Sequence, residues 1–127
     1  MTHPENDDTD TAYRIIETTA IDQVTHVRLY EETWSHIAAQ HPEFSNRLPS
    51  LEHAVIDTIR NPTEVYRSRT DTVSGYVFRS SNNLKANRAM AVPIRVVGEG
   101  TSARVTTAMF RGEVKGELLY EGTDEQG

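Results

Sequence analysis

The hydrophobic period of this chain changes at Asn61-Pro62, and that change constrains the fold more than any other feature. Upstream, Leu48, Leu51, Val55, Ile56 and Ile59 recur at helical spacing and predict a helix over 49–60. Asn61-Pro62 ends it, because the residue before a proline is pushed out of the α region. Downstream the period is two, predicting strands over 65–69, 75–79, 89–97 and 103–110 with turns at Asp71, Asn82-Asn83 and Gly98-Glu99-Gly100. Pro93 removes a ladder donor from the third of these, so that strand must lie at an edge there or meet a bulge.

The N-terminal half adds a second helix and a hairpin. Trp34, Ile37, Ala38 and His41 fall at helical spacing over 31–40, and Pro42 stops the helix at His41. Residues 13–19 and 24–30 are rich in β-formers and read as two short strands. The fold class is α+β: two N-terminal helices packed on one face of an antiparallel sheet, with the other face left for solvent or a ligand.

At 127 residues the chain fits one domain, expected over 13–120. Residues 1–12 are acidic, without Lys or Arg, and cannot bury a core; they and 121–127 are expected to be flexible tails. Cysteine is absent, which excludes disulfides, thiolate metal sites and thiol nucleophiles. No apolar run is long enough to span a bilayer, and the N-terminus lacks the pattern of a secretory signal, so a cytoplasmic protein is expected.

The net charge of −6 argues against a polyanion ligand until its distribution is read. Arg60 to Lys115 holds ten basic residues against four acids, and the other positions hold three against fifteen. Either the C-terminal half binds anions, or its arginines lie on a solvated sheet face.

Trp34 to Glu43 gathers an aromatic, two imidazoles and a carboxylate near a helix exit. Histidine donates and accepts protons near neutrality without a metal or cofactor. His36 and His41 lie five apart, where two metal ligands on one helical face sit four apart, so neither a metal nor a cofactor is called for. Cleavage of RNA without a metal needs a base for the 2′-hydroxyl proton, an acid for the leaving 5′-oxygen, and cations around the phosphorus. His36, His41 or Glu43 can supply the first two, and sheet arginines such as Arg79 the third. Arg79 can equally be a cross-strand partner of Glu64 or Glu99, Trp34 can be core, and Thr106 and Thr107 can bind a phosphate oxygen or simply favour strands.

Val27-Arg-Leu, Trp34-x-His-Ile followed by His41-Pro-Glu43, a helix ending in Asn61-Pro62, Tyr76-x-Phe78-Arg79 and Val105-Thr-Thr-Ala108 resemble the small phage- and toxin-associated nucleases grouped with barnase, EndoU, colicin and RelE. The resemblance covers about residues 24–120. It implies an RNase- or RelE-like fold and a metal-independent endoribonuclease leaving 2′,3′-cyclic phosphate ends, in some cases the toxin of a toxin–antitoxin pair. Its partners would be RNA and an antitoxin or immunity protein. By position it implies His36, His41, Arg79 and Thr107 as catalytic; Trp34, Glu43, Arg67, Arg69 and Lys115 are the candidates for binding substrate. The chain departs from the group in its acidity and scarce lysine, and Val114-Lys115-Gly116-Glu117 is all that remains of the group's Lys-Lys-Gly-Glu. The alternative function is a catalytically silent module of the same fold that holds a protein or nucleotide.

Overall fold

The computed structural model describes residues 12–40, 50–85, 88–98 and 100–122. The element order is β1 (Tyr13–Ile21), β2 (Val24–Tyr30), α1 (Glu31–Gln40), α2 (Ser50–Arg60), β3 (Glu64–Arg67), β4 (Gly75–Lys85), β5 (Arg88–Val96), β6 (Ser102–Val105), β7 (Met109–Arg111) and β8 (Leu118–Glu121). The class is α+β as expected, but the helices are not N-terminal. β1 and β2 precede them and belong to the same sheet, because Ile16, Ile21, Val24, Val27 and Leu29 are all buried in the common core.

The sheet has the order β1-β2-β6-β5-β4-β3-β8, with β7 also on β5. It is mixed rather than antiparallel, since β2 runs parallel to β6 with Val27 opposite Ala103. It also curls, bringing β8 against β1 around α2, which packs on β1, β4 and β5. Val55 and Ile59, one turn apart on α2, are fully buried, and Asp57 accepts the Asn61 amide at 2.7 Å as the helix ends.

Alternation assigns the two sheet faces. Val65, Tyr76, Phe78, Val92, Ile94 and Val105 point to the helices and are buried. The residues between them, Glu64, Tyr66, Val77, Arg79, Ala91, Pro93, Arg95 and Arg104, therefore point to the opposite, open face.

One expected turn and one expected strand resolve differently. Asn82-Asn83 lies inside β4, where Ser80 pairs with Met90 and Leu84 with Ala89, so three extra residues form a bulge. The expected strand over 103–110 is split into β6 and β7 across Thr106–Ala108. The split lies opposite Pro93, whose carbonyl accepts both the Thr106 amide at 3.0 Å and its hydroxyl at 3.1 Å. A residue's N and O point to the same neighbouring strand, so the missing proline donor faces the interruption.

The connection from β3 to β4 is held by Asp71. Its carboxylate accepts the Ser74 amide at 3.1 Å and the Ser74 hydroxyl at 2.7 Å, and meets Arg95 at 3.4 Å. Those hydrogen bonds first, and Arg95 after them, hold its pKa below the ordinary carboxylate value. The unfolded chain thus binds the Asp71 proton more readily. The corresponding stability is present above about pH 4 and is lost as pH falls through the folded pKa. Asp71→Asn should remove that part of the acid limb in melts recorded from pH 6 to pH 2, and an unchanged limb would exclude the assignment.

Candidate functional site

The open face carries a cleft of about 660 Å³. Its floor is Val77, Ala91, Pro93 and Met109, apolar side chains from three neighbouring strands. One wall is Ser68, Arg69 and Thr70, leaving β3. The other side comes from topology: β7 borders β5 and β8 borders β3, so residues 112–117 must cross β5, β4 and β3 as a strap, bringing Glu113, Val114 and Lys115 over the floor. The strap is anchored by Gly116, where φ is 136° and a Cβ would run into the Arg67 carbonyl oxygen. Beside it the Arg67 amide donates to the Glu117 carbonyl at 2.8 Å.

Arg69, Arg111 and Lys115 are exposed around this cleft, and none forms an ion pair among the described residues. An apolar floor with a cationic rim suits a ligand that is both flat and anionic.

Glu64, Tyr66 and Arg79 adjoin the floor. Tyr66 lies opposite Val77 and Arg79 opposite Ala91, so the group shares the face and the strands that form the cleft. Arg79 Nη1 donates to Glu64 Oε1 at 2.7 Å, and the Tyr66 hydroxyl donates to the same oxygen at 3.0 Å. Both members of the ion pair are about four-fifths covered, at 19% and 22% exposure, which reduces solvent screening. The Tyr66 phenol is pushed above its usual range, first by burial and then by its bond to the Glu64 carboxylate, so it stays a donor at neutral pH. Arg79 Nε is buried without a hydrogen-bond partner among the described residues.

The structure separates the residues expected to form the site. Arg79 took the cross-strand partner that an arginine at that register allows, and Arg69 and Lys115 line the cleft beside it. Arg67 sits on the helix-facing side of β3, its guanidinium 5.6 Å from the Tyr76 ring centroid and donating to the Thr72 carbonyl at 3.0 Å. Thr107 is half-buried in the interruption between β6 and β7. Trp34 packs partly buried against the core and borders a separate cavity with Tyr13, Arg14 and Glu52. His36 is exposed on α1, with its Nε2 3.1 Å from Gln40 Nε2. The neighbouring Ile37 enters the core, so α1 belongs to the helical side and His36 is not brought to the Arg79 face. His41 and Glu43 lie outside the described residues.

Tyr66 and Arg111 were not singled out from sequence. The available signal was the alternation Glu64-x-Tyr66, which puts acid and phenol on one face of a strand, but only the register with β4 shows what they meet. Among the described residues no group of three or more His, Asp or Glu could hold a metal ion, and no helix is long and apolar enough to cross a membrane.

No family model, curated protein or solved structure matches this chain.

Proposed function

We propose that the protein is a small metal-independent endoribonuclease whose site is the open-face cleft and the adjoining Glu64–Tyr66–Arg79 group. The observation that carries this reading is the Arg79 guanidinium, bonded to a carboxylate at 2.7 Å with its Nε unpartnered among the described residues, at the border of a cation-rimmed cleft. Glu64 takes the proton of a ribose 2′-hydroxyl, the freed oxygen attacks phosphorus, and the bond to the 5′-oxygen breaks. Arg79, with Arg69, Arg111 and Lys115, offsets the charge on the pentacoordinate phosphorus. The leaving oxygen takes its proton from Tyr66 within the group, so the pH–rate profile should lose activity on its alkaline side only well above neutrality, where the Tyr66 phenol titrates. An antitoxin or immunity partner would be an acidic protein covering the same rim.

A silent binding module is favoured instead by the pairing of Glu64 with Arg79, which engages the carboxylate, and by the position of His36 on the helical side. Incubating purified protein with mixed RNA in excess chelator separates the two. The nuclease reading expects fragments with 2′,3′-cyclic phosphate ends. Bound but intact RNA would establish the module.

A further inference from the structure

Beyond the cleft, the open face carries three arginines side by side. Arg28 on β2 is in register with Arg104 on β6, and Arg104 with Arg95 on β5, at a strand spacing of about 4.8 Å. Like charges directly opposite one another destabilise a sheet. The fold offsets this one only in part. Arg95 meets Asp71 at 3.4 Å, whereas Arg28 and Arg104 have no carboxylate partner among the described residues and lie against tyrosine rings. Arg28 is 5.0 Å from the centroid of Tyr13, and Arg104 is 5.0 Å from that of Tyr30. Tyr13 and Tyr30 face one another across β1 and β2 with centroids 5.1 Å apart and planes tilted by 51°, and Tyr13 is 46% exposed.

This surface is continuous with the cleft, because Arg95 stands two residues along β5 from Pro93 on the same face. Cations interleaved with tyrosine rings, of which Tyr13 is exposed and Tyr30 half-buried, match a polymer that alternates anionic groups with flat rings. An acidic protein would satisfy the arginines but not the rings.

We propose that Tyr13, Arg28, Tyr30 and Arg104 form a platform for single-stranded nucleic acid, taking phosphates on the arginines and unpaired bases on the tyrosines. It extends the path of a strand whose scissile phosphate lies in the cleft, and so rests on the reading that this face receives RNA, though not on cleavage. A short oligonucleotide would occupy the cleft alone, and a longer one would reach the platform.

The test uses the full chain and 2′-O-methyl RNA, which lacks the attacking hydroxyl, as a trimer and an octamer carrying 2-aminopurine. The octamer should bind more tightly than the trimer and show stacking quench. Tyr30→Ala and Arg104→Ala should each weaken the octamer by about 5- to 100-fold, the range for loss of one stacked base, while leaving trimer affinity and dinucleotide cleavage unchanged. Tyr30→Phe, which keeps the ring, should restore most of the affinity, and a duplex of equal length should compete poorly.

Equal affinity for trimer and octamer, an inert Tyr30→Ala with unchanged circular dichroism, or equally strong competition by poly-glutamate would overturn the platform. Cleavage with an inert Tyr30→Ala would remove the platform and keep the nuclease. Tyr30-dependent octamer binding with intact natural RNA would do the reverse.

Discussion

Glu64→Gln is expected to lower RNA cleavage by about 10²- to 10⁴-fold while changing RNA affinity only a few-fold. The amide keeps an oxygen to accept from Arg79 and Tyr66, so the group's geometry survives, but it cannot take the 2′-hydroxyl proton. Arg79 requires a different substitution. Alanine there would leave the largely covered Glu64 carboxylate without its cation, mixing a folding defect with a catalytic one. Arg79→Lys keeps the charge but loses the planar fork, so turnover should fall more than binding. His36→Ala is the control: its imidazole meets Gln40 on the helical side, and a base located at Glu64 predicts near-normal cleavage. If Glu64→Gln retains full activity and His36→Ala loses it, the proton transfers return to the histidines and the cleft becomes a binding surface.

How much of this could be read before folding depends on the range of each interaction. The helices at Glu31–Gln40 and Ser50–Arg60 follow from local spacing and two prolines, and the structure places them within a residue of the expected spans. The parallel pairing of β2 with β6 joins residues more than seventy positions apart, and nothing local encodes it. β8 was missed for another reason: Leu118–Glu121 is four residues long and has no fully buried side chain, so its apolar signal is weak until β3 supplies the ladder. The turn expected at Asn82-Asn83 is not there: β4 runs on to Lys85, and the polar pair belongs to a bulge that only the register with β5 reveals.

The site divides in the same way. Arg79 and Glu64 were legible as a cross-strand option because their residue types restrict the outcomes. That this pair would border a cleft depended on the strap crossing the sheet between β7 and β8, which is topology. The histidines had the right chemistry for proton transfer, but composition does not say which layer a helix presents. For His36 the adjacent Ile37 decides it, by taking the core.

The assignment of the two faces predicts that adjacent residues on β4 will fail differently. Phe78 is fully buried, with Val65 opposite it on one side and Val92 on the other, and it is the largest fully buried side chain described. Phe78→Ala should cost about 3–5 kcal/mol, combining lost transfer free energy with a cavity that close-packed neighbours cannot fill. Against a total stability of roughly 5–15 kcal/mol, the melting temperature should fall by roughly 10–20 °C. Phe78→Leu should recover much of the loss. Val77, one residue earlier, is half-buried on the cleft floor and contributes less to the core. Val77→Ala should cost about 1 kcal/mol or less and act mainly on RNA affinity. Thermal melts and binding isotherms of the two variants, measured side by side, test the assignment. A small melt shift at Phe78 with a large one at Val77 would mean that the sheet presents its faces the other way round, and the cleft with its cationic rim could not then be the open face.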